Sequence, residues 1–337
     1  MKVLVYFNPG PKNDCFQGTR LRKNIKAALE LNKVSWVESP LALPDVAHFL
    51  SPDDENKAND LKEDGVKIVV SALYAEEDPF SRFLSVNSDG DYFLRPKAER
   101  MIQMADLVLV PSLSGKNALL RCGINNPNVK VLSPGVNLAR FENSDPVEYA
   151  VFSKYMRRDI NDKFVICIGD YEDNEAVQSF AEIASLVPER NFDFFGSGRR
   201  GRLGMGALKK LNKNAPPNAH YHDLVEDDVY RSGVMSSSVY LALARKPTSL
   251  GSLEAMAAKT QIIVYGKPLK GEILVDKKNC YAYASVERTA KAIQSYCENK
   301  LPPTIIEAYK EAKAASLSLV GKKLKAYYES VLMDSEE

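Results

Sequence analysis

The chain has 337 residues, more than one hydrophobic core ordinarily serves, so two domains are expected. Its 45 basic and 44 acidic residues leave a net charge of +1, which argues against a dedicated nucleic-acid binder, and no run approaches the roughly 18 apolar residues of a membrane span. Five scattered cysteines (Cys15, Cys122, Cys167, Cys280 and Cys297), odd in number and without a C-x-x-C pair, indicate neither a disulfide framework nor a zinc site and point to a reducing cytosol.

The first half alternates strand-like and helix-like stretches, the pattern of an α/β layered domain. Val3–Phe7 reads as a strand too short for a signal-peptide core, followed by a Gly/Pro/Asn-rich loop through Gly18. Thr19–Glu30 has helical spacing at Leu21, Ile25, Ala28 and Leu29, with Thr19 as a cap and cations opposite the apolar stripe. Short strands are expected at Ser35–Val37 and Val46–Leu50, and a helix ending at Gly65 precedes the strand Val66–Val70. A helix through Ala98–Met104, the strand Leu107–Val110, a helix to Cys122 and the strand Val129–Leu132 follow. The polar, charged stretch 145–162 reads as the domain junction.

The second half restarts with the apolar strand Phe164–Gly169, a helix over Glu175–Leu186, the strand Phe192–Phe195 and a glycine-rich basic stretch from Gly196 to Lys213. The run Ser238–Ala244 is apolar enough for a strand buried on both faces, and a helix is expected over Ser252–Ala258. The intervening loop, Arg245–Gly251, then lies outside the carboxyl end of a parallel strand, where such sheets bind ligands and where free helix N–H groups suit phosphate or sugar. A strand at Gln261–Tyr265, a loop to Asn279 and two helices, the last at Val320–Leu332, close the chain.

Several fragments stand in one order along nearly the whole sequence: Ala105–Ser112, Val131–Asn137 with Phe141, Cys167–Gly169, Phe195–Gly198 and Leu253–Ala257. Together they resemble the family-4 GT-B glycosyltransferases. Met1–Phe7, Glu76–Asp78, Pro216–Asn218 and Lys278–Tyr281 resemble in particular the branch that makes galactosyl-glucosyl-diacylglycerol glycolipids in Gram-positive bacteria. The resemblance implies two Rossmann-like domains facing a cleft. Residues 1–155 would form the acceptor side, completed by a C-terminal helix, 316–337, crossing back, and residues 156–315 would form the nucleotide-sugar side. It further implies a UDP-linked hexose as donor, a glycolipid or related acceptor, no obligatory metal or other cofactor, and no nucleic-acid partner. Its location would be cytoplasmic, or peripheral on the inner face of a membrane.

Carried over residue by residue, the family's Glu-x7-Glu motif places its second carboxylate on Glu254, expected at the nucleotide ribose, and its first on Lys246, which reverses the charge beside the donor sugar. The glycine that lets backbone approach sugar and phosphate is Ser249 here, followed by Leu250 and Gly251; Gly169 and Gly196 complete the glycines of the nucleotide side. The basic pair expected after Gly169 is replaced by Asp170-Tyr-Glu-Asp-Asn-Glu175, four carboxylates that repel a diphosphate. Arg199 and Arg200 could substitute for that pair or, with Lys209, Lys210 and Lys213, meet anionic lipid. The histidine expected near the acceptor aligns with Leu73, which leaves Glu77 and Asp78 beside Glu76 as candidate bases, with Lys246 the further catalytic candidate.

His220 and His222 read either as an exposed strand edge or as metal ligands, and His48 as a core histidine with satisfied hydrogen bonds. The basic helix from Thr19 to Lys26 reads as packed on its own sheet or touching a bilayer. Three readings remain open: a retaining hexosyltransferase, a non-catalytic GT-B partner in glycan or glycolipid assembly, and a glycan- or nucleotide-binding module. Loss of the basic pair, the first Glu and the histidine weighs against turnover, since one missing charge-stabilising donor costs about 10²- to 10³-fold in rate.

Overall fold

A computed structural model describes residues 1–7, 17–74, 84–86, 92–94, 96–142, 145–171, 173–197, 205–243, 250–268 and 271–333. The first half contains β1 (Lys2–Tyr6), α1 (Gln17–Leu31), β2 (Ser35–Val37), β3 (Val46–Phe49), α2 (Glu55–Glu63), β4 (Lys67–Ser71), β5 (Leu84–Val86), β6 (Tyr92–Leu94), α3 (Pro96–Met104), β7 (Leu107–Val110), α4 (Leu113–Arg121) and β8 (Val129–Val131). Six of these strands form a parallel sheet of order β2-β1-β3-β4-β7-β8, and β5 and β6 pair as an antiparallel hairpin.

After α5 (Pro146–Met156) the second half runs β9 (Phe164–Asp170), α6 (Asn174–Ser185), β10 (Asn191–Ser197), α7 (Met205–Asn214), β11 (Ala219–His222), α8 (Asp227–Ser236), β12 (Val239–Leu243), α9 (Leu250–Ala257), β13 (Gln261–Tyr265), β14 (Tyr281–Tyr283), α10 (Val286–Cys297), α11 (Ile305–Ala314) and α12 (Leu317–Met333). Its sheet is also parallel, ordered β11-β10-β9-β12-β13-β14. That order reverses direction between β9 and β12, and the first sheet reverses between β1 and β3. Sheets of this kind open a ligand crevice at such switch points.

Alternation along the strands divides the interior into layers. Val3 and Val5 of β1 join one hydrophobic cluster while Leu4 joins another with Ile68 and Val108. The first of these clusters runs through both halves, from Val3 and Val69 to Ile166 and Val264, so the two lobes share one continuous core. On the far face of the second sheet, Val165, Phe180, Phe192 and Ile293 form a separate layer.

The C-terminal helix crosses back as expected. At Gly321 α12 lies directly on α1: a Cβ there would stand 2.2 Å from the Ala28 carbonyl oxygen. Asn32 Nδ2 donates to Ser318 O at 3.1 Å, and Tyr328 reaches His48 on β3 at 2.7 Å.

Several local expectations are corrected. Helix α1 begins at Gln17, so Thr19 lies inside its first turn and is not the cap. The polar stretch 145–162 contains α5, started by Pro146 at N1 and by the Asp145 side chain accepting from Val147 N at 2.9 Å; it packs on α8 through Phe152. Part of the basic stretch is helix α7, with Lys209, Lys210 and Lys213 exposed on it. Helix α9 starts at Leu250, two residues before the expected point, β14 lies within what reads as a loop followed by helices, and three helices rather than two end the described chain.

Candidate interlobe nucleotide site

Helix α9 leaves β12 beside the switch point of the second sheet, and all eight of its residues are buried. Its apolar residues Leu250, Leu253, Ala255 and Met256 wedge it into the shared core, and Gly251 lets it approach β12. A Cβ at Gly251 would stand 2.4 Å from the Tyr240 hydroxyl. The packing leaves one charged residue on α9, Glu254, inside the molecule with 1 % of its surface exposed.

Glu254 is held from both lobes. Arg20 Nε of α1 donates to Glu254 Oε1 at 3.1 Å, and Tyr230 Oη of α8 donates to Glu254 Oε2 at 2.5 Å. The Arg20 guanidinium, itself 1 % exposed, lies over the Tyr230 ring at 4.5 Å. Arg140 brings a second cation to 4.0 Å from Glu254 Oε1 while bonding Asp227 Oδ1 at 2.6 Å. Burial holds the Tyr230 phenol well above its ordinary pKa, against the opposing charge of Arg20, so it stays a donor. A carboxylate this deep requires such partners, because a buried charge without them is far more costly than one in water.

A second carboxylate closes the same crevice farther along. Glu272, on the loop after β13, accepts from Ser112 Oγ at 2.7 Å. Ser112 is also the N-cap of α4, its Oγ accepting from Gly115 N at 3.0 Å, so the carboxylate faces a helix N-terminus of the other lobe. Burial raises the Glu272 carboxyl above its ordinary pKa, partly offset by bonds from Ser112, Ser114 and the Ile273 backbone. Glu272 also lines a hollow of about 410 Å³ together with Lys267, Leu274, Asp276 and Ala282.

Among the residues singled out from the sequence, the structure brings Glu254, Leu250 and Gly251 together on α9. Leu250 and Gly251 therefore belong to the helix and not to the preceding loop. Gly169 and Gly196 pair across β9 and β10, where a Cβ on Gly196 would meet the Gly169 carbonyl oxygen at 2.5 Å and one on Gly169 the Phe194 ring at 2.8 Å. Close packing of strand on strand and of ring on backbone accounts for both glycines. Glu77, Asp78, Arg199, Arg200, Lys246 and Ser249 lie outside the described residues. Leu73, at the position aligned with the histidine, is buried just past β4 with φ +67°, a backbone region costly for a branched residue.

The histidines have structural partners. His222, at the carboxyl end of edge strand β11, meets Asp193 Oδ1 through Nε2 at 2.8 Å, and Arg158 clasps the same carboxylate with both terminal nitrogens. Burial alone would raise the Asp193 pKa, but His222 and Arg158 hold it below the ordinary range. His220 faces Asn191 at 3.3 Å. Among the described residues no group of three or more His, Cys, Asp or Glu converges as a metal set. His48 is fully buried between Tyr328 and Ser71, as a core histidine should be.

Sequence reasoning missed Arg20, Tyr230, Arg140 and the Ser112–Glu272 pair. One signal for Arg20 was available: it stands four residues before Asn24 on the same helix face as Leu21, Asn24, Ile25 and Ala28, all buried. Arg20 therefore points inward, correcting the expectation that the cations of α1 lie opposite its apolar stripe.

Comparison with solved structures fits this geometry. Anabaena Alr3699/HepE in complex with UDP-glucose aligns with a TM-score of 0.70 at 12% identity, covering 98% of this chain and 100% of that one. A glycosyltransferase from Rickettsia africae ESF-5 aligns with a TM-score of 0.68 at 13% identity, covering 98% of each chain. The chain has the GT-B fold, two Rossmann-like lobes with a crevice between them. In sequence it is similar to the processive diacylglycerol alpha-glucosyltransferase of Acholeplasma laidlawii, 22% identical over 241 residues that cover 71% of this chain and 72% of that protein. No model of a known protein family matches the chain. Among the described residues no helix is long and apolar enough to cross a membrane.

Proposed function

We propose that the chain transfers a hexose from a UDP-linked donor to a glycolipid or related acceptor. The observation that carries this reading is the similarity to the Acholeplasma diacylglycerol alpha-glucosyltransferase over most of both chains, on a fold that in Anabaena HepE holds UDP-glucose. In this reading residues 1–155 with 316–337 serve the acceptor, and residues 156–315 serve the nucleotide sugar. Within the branch, the galactosyl-glucosyl-diacylglycerol synthases are the proposed kin. The sugar C1–O bond to the diphosphate breaks, a C1–O bond to the acceptor hydroxyl forms, and the acceptor proton leaves with UDP.

Glu254 would take the ribose hydroxyls, beside Leu250, Gly251 and Ser249. Gly169, Gly196, Arg199 and Arg200 would border the phosphates, and Lys246, Glu77 and Asp78 would supply the reacting centre. A lipid acceptor implies peripheral contact with an anionic membrane. A partly exposed cation, Arg140, stands beside Glu254, away from the segment after Gly169 where the family carries its basic pair, which favours a site able to meet part of a diphosphate's charge. A second reading, a non-catalytic GT-B partner, is favoured by one feature: each oxygen of Glu254 already accepts a bond from within the protein, from Arg20 and Tyr230.

Calorimetric titration with UDP, UDP-glucose and UDP-galactose separates these readings. Binding tighter than millimolar, abolished by Glu254→Ala, is expected. Absence of binding by every nucleotide removes the enzyme reading and leaves the partner.

A further inference from the structure

We infer that helix α5 is the contact surface of a homodimer, two copies of the chain docking antiparallel about Val151. A surface helix ordinarily buries one apolar stripe and turns a polar face to water. Helix α5 buries Phe152 and Ser153 toward α8, yet its opposite face is apolar as well: Val147 is 69 % exposed and Tyr155 56 %, with Val151 half-buried between them. These three stand at i, i+4 and i+8, a stripe down one side of the helix. Just past its end Ile160 is exposed too. Single apolar residues in water are ordinary, but a contiguous stripe marks a contact surface.

The charges of α5 select the occupant. Its acids, Asp145 and Glu148, stand at the N-terminal end and its bases, Lys154 and Arg157, at the C-terminal end. Val147 and Tyr155 lie equally far from Val151 along the helix, as do Glu148 and Lys154, and Asp145 and Arg157. An antiparallel copy turned about a two-fold axis at Val151 therefore sets Val147 against Tyr155, Val151 against itself and each acid opposite a base, twice over. Glu148 also holds Arg231 of α8 and Asp145 caps the helix, which fixes where both carboxylates stand. A parallel copy would set like charges together. An anionic membrane fits less well, since the acids of α5 cancel its bases. A helix of this length, about 16 Å, covers less than the roughly 800 Å² per partner of a standard interface, so the dimer is weak and forms as concentration rises.

The test is sedimentation velocity of the full chain from about 1 to about 200 µM, with the monomer-to-dimer midpoint expected at about 10–100 µM. Tyr155→Glu and Lys154→Glu, both at exposed positions, are each expected to weaken association about tenfold or more while leaving the thermal melt in place, and Lys154→Arg is expected to stay within about threefold of the wild type. Register is read by cross-linking with a short bismaleimide, the wild type setting the background from the native cysteines. Val147→Cys mixed with Tyr155→Cys is expected to give a linked dimer well above that of either variant alone. A wild type that stays monomeric throughout overturns the homodimer, and a dimer indifferent to Tyr155→Glu shows that α5 is not its surface. Linking of Val147→Cys to itself in preference to Tyr155→Cys overturns the antiparallel pairing. None of these measurements involves a nucleotide, so the dimer and the transferase stand or fall separately.

Discussion

His48 shows how one side chain couples the fold to pH. Its Nδ1 lies 2.7 Å from the Tyr328 hydroxyl on α12 and its Nε2 lies 2.8 Å from Ser71 Oγ on β4, so it joins the C-terminal helix to the first sheet. Full burial lowers its pKa from 6.5 to about 3, and the folded protein therefore keeps the ring neutral. In the unfolded chain the ring is free to protonate near its ordinary value. Between pH 6.5 and about 3 the unfolded state thus binds the extra proton, and stability present above this window is lost as pH falls through it. The contribution is on the order of 5 kcal/mol when complete. Thermal melts of His48→Gln against the wild type across that window check the point: the variant starts less stable at neutral pH and shows a shallower acid decline. This residue was legible in the sequence because its setting is local, an imidazole on the apolar strand Val46–Phe49. For Arg20 only its helix-face register was visible, because the carboxylate that explains its burial lies 234 positions away in the sequence.

Among the elements, strands were read more faithfully than the segments between them. Runs such as Leu107–Val110 and Val239–Leu243 are apolar on both faces because helices cover both sides of each sheet, and that composition is visible without knowing the partner strands. Helix α5 was hidden, since its apolar residues gather on no single face, the charged run Arg157-Arg158-Asp159 follows it, and its start depends on the pair Asp145 and Pro146. The three-residue edge strand β14 carries too little pattern to separate it from a loop. The contact of α12 with α1 depends on a close approach that only glycine allows, with a Cβ at Gly321 standing 2.2 Å from both Ala28 O and Asn32 Nδ2. The Asn32 amide could swing aside, but the Ala28 carbonyl belongs to the backbone of α1 and moves only with its helix. Gly321→Ala is therefore expected to destabilise the protein by about 1–3 kcal/mol, although alanine favours an isolated helix by about 1 kcal/mol. A lowered urea midpoint, with faster amide exchange along α1 and α12, is the expected result. An unchanged midpoint would show that the two helices slide apart freely.

For the molecule as a whole, the question is how two lobes with separate sheets behave as one body. The hydrophobic cluster linking Val69 and Leu109 with Ile166 and Val264 supplies the continuous part of the connection, and Arg20–Glu254 supplies the charged part. These differ in kind. Apolar burial stabilises in proportion to area and tolerates small shifts, whereas a buried ion pair contributes little net stability but is costly to leave half made. Removing one member alone, by Arg20→Met or by Glu254→Leu, should each destabilise by about 3–5 kcal/mol because a buried charge loses the opposite charge nearest to it among the described residues. The double variant, with both charges gone, should lose much less than the sum, the remainder being about 1–3 kcal/mol for the Tyr230 hydroxyl deprived of its acceptor. Denaturant titration of the four proteins completes this cycle. A double variant as unstable as the two single losses added together would mean that Arg20 and Glu254 act independently, and the lobes would then be held by the shared apolar core and Ser112–Glu272 without the charged pair. Strong coupling would show that the lobes are joined by a charged pair as well as by the apolar core, each residue of the pair stabilising only in the presence of the other.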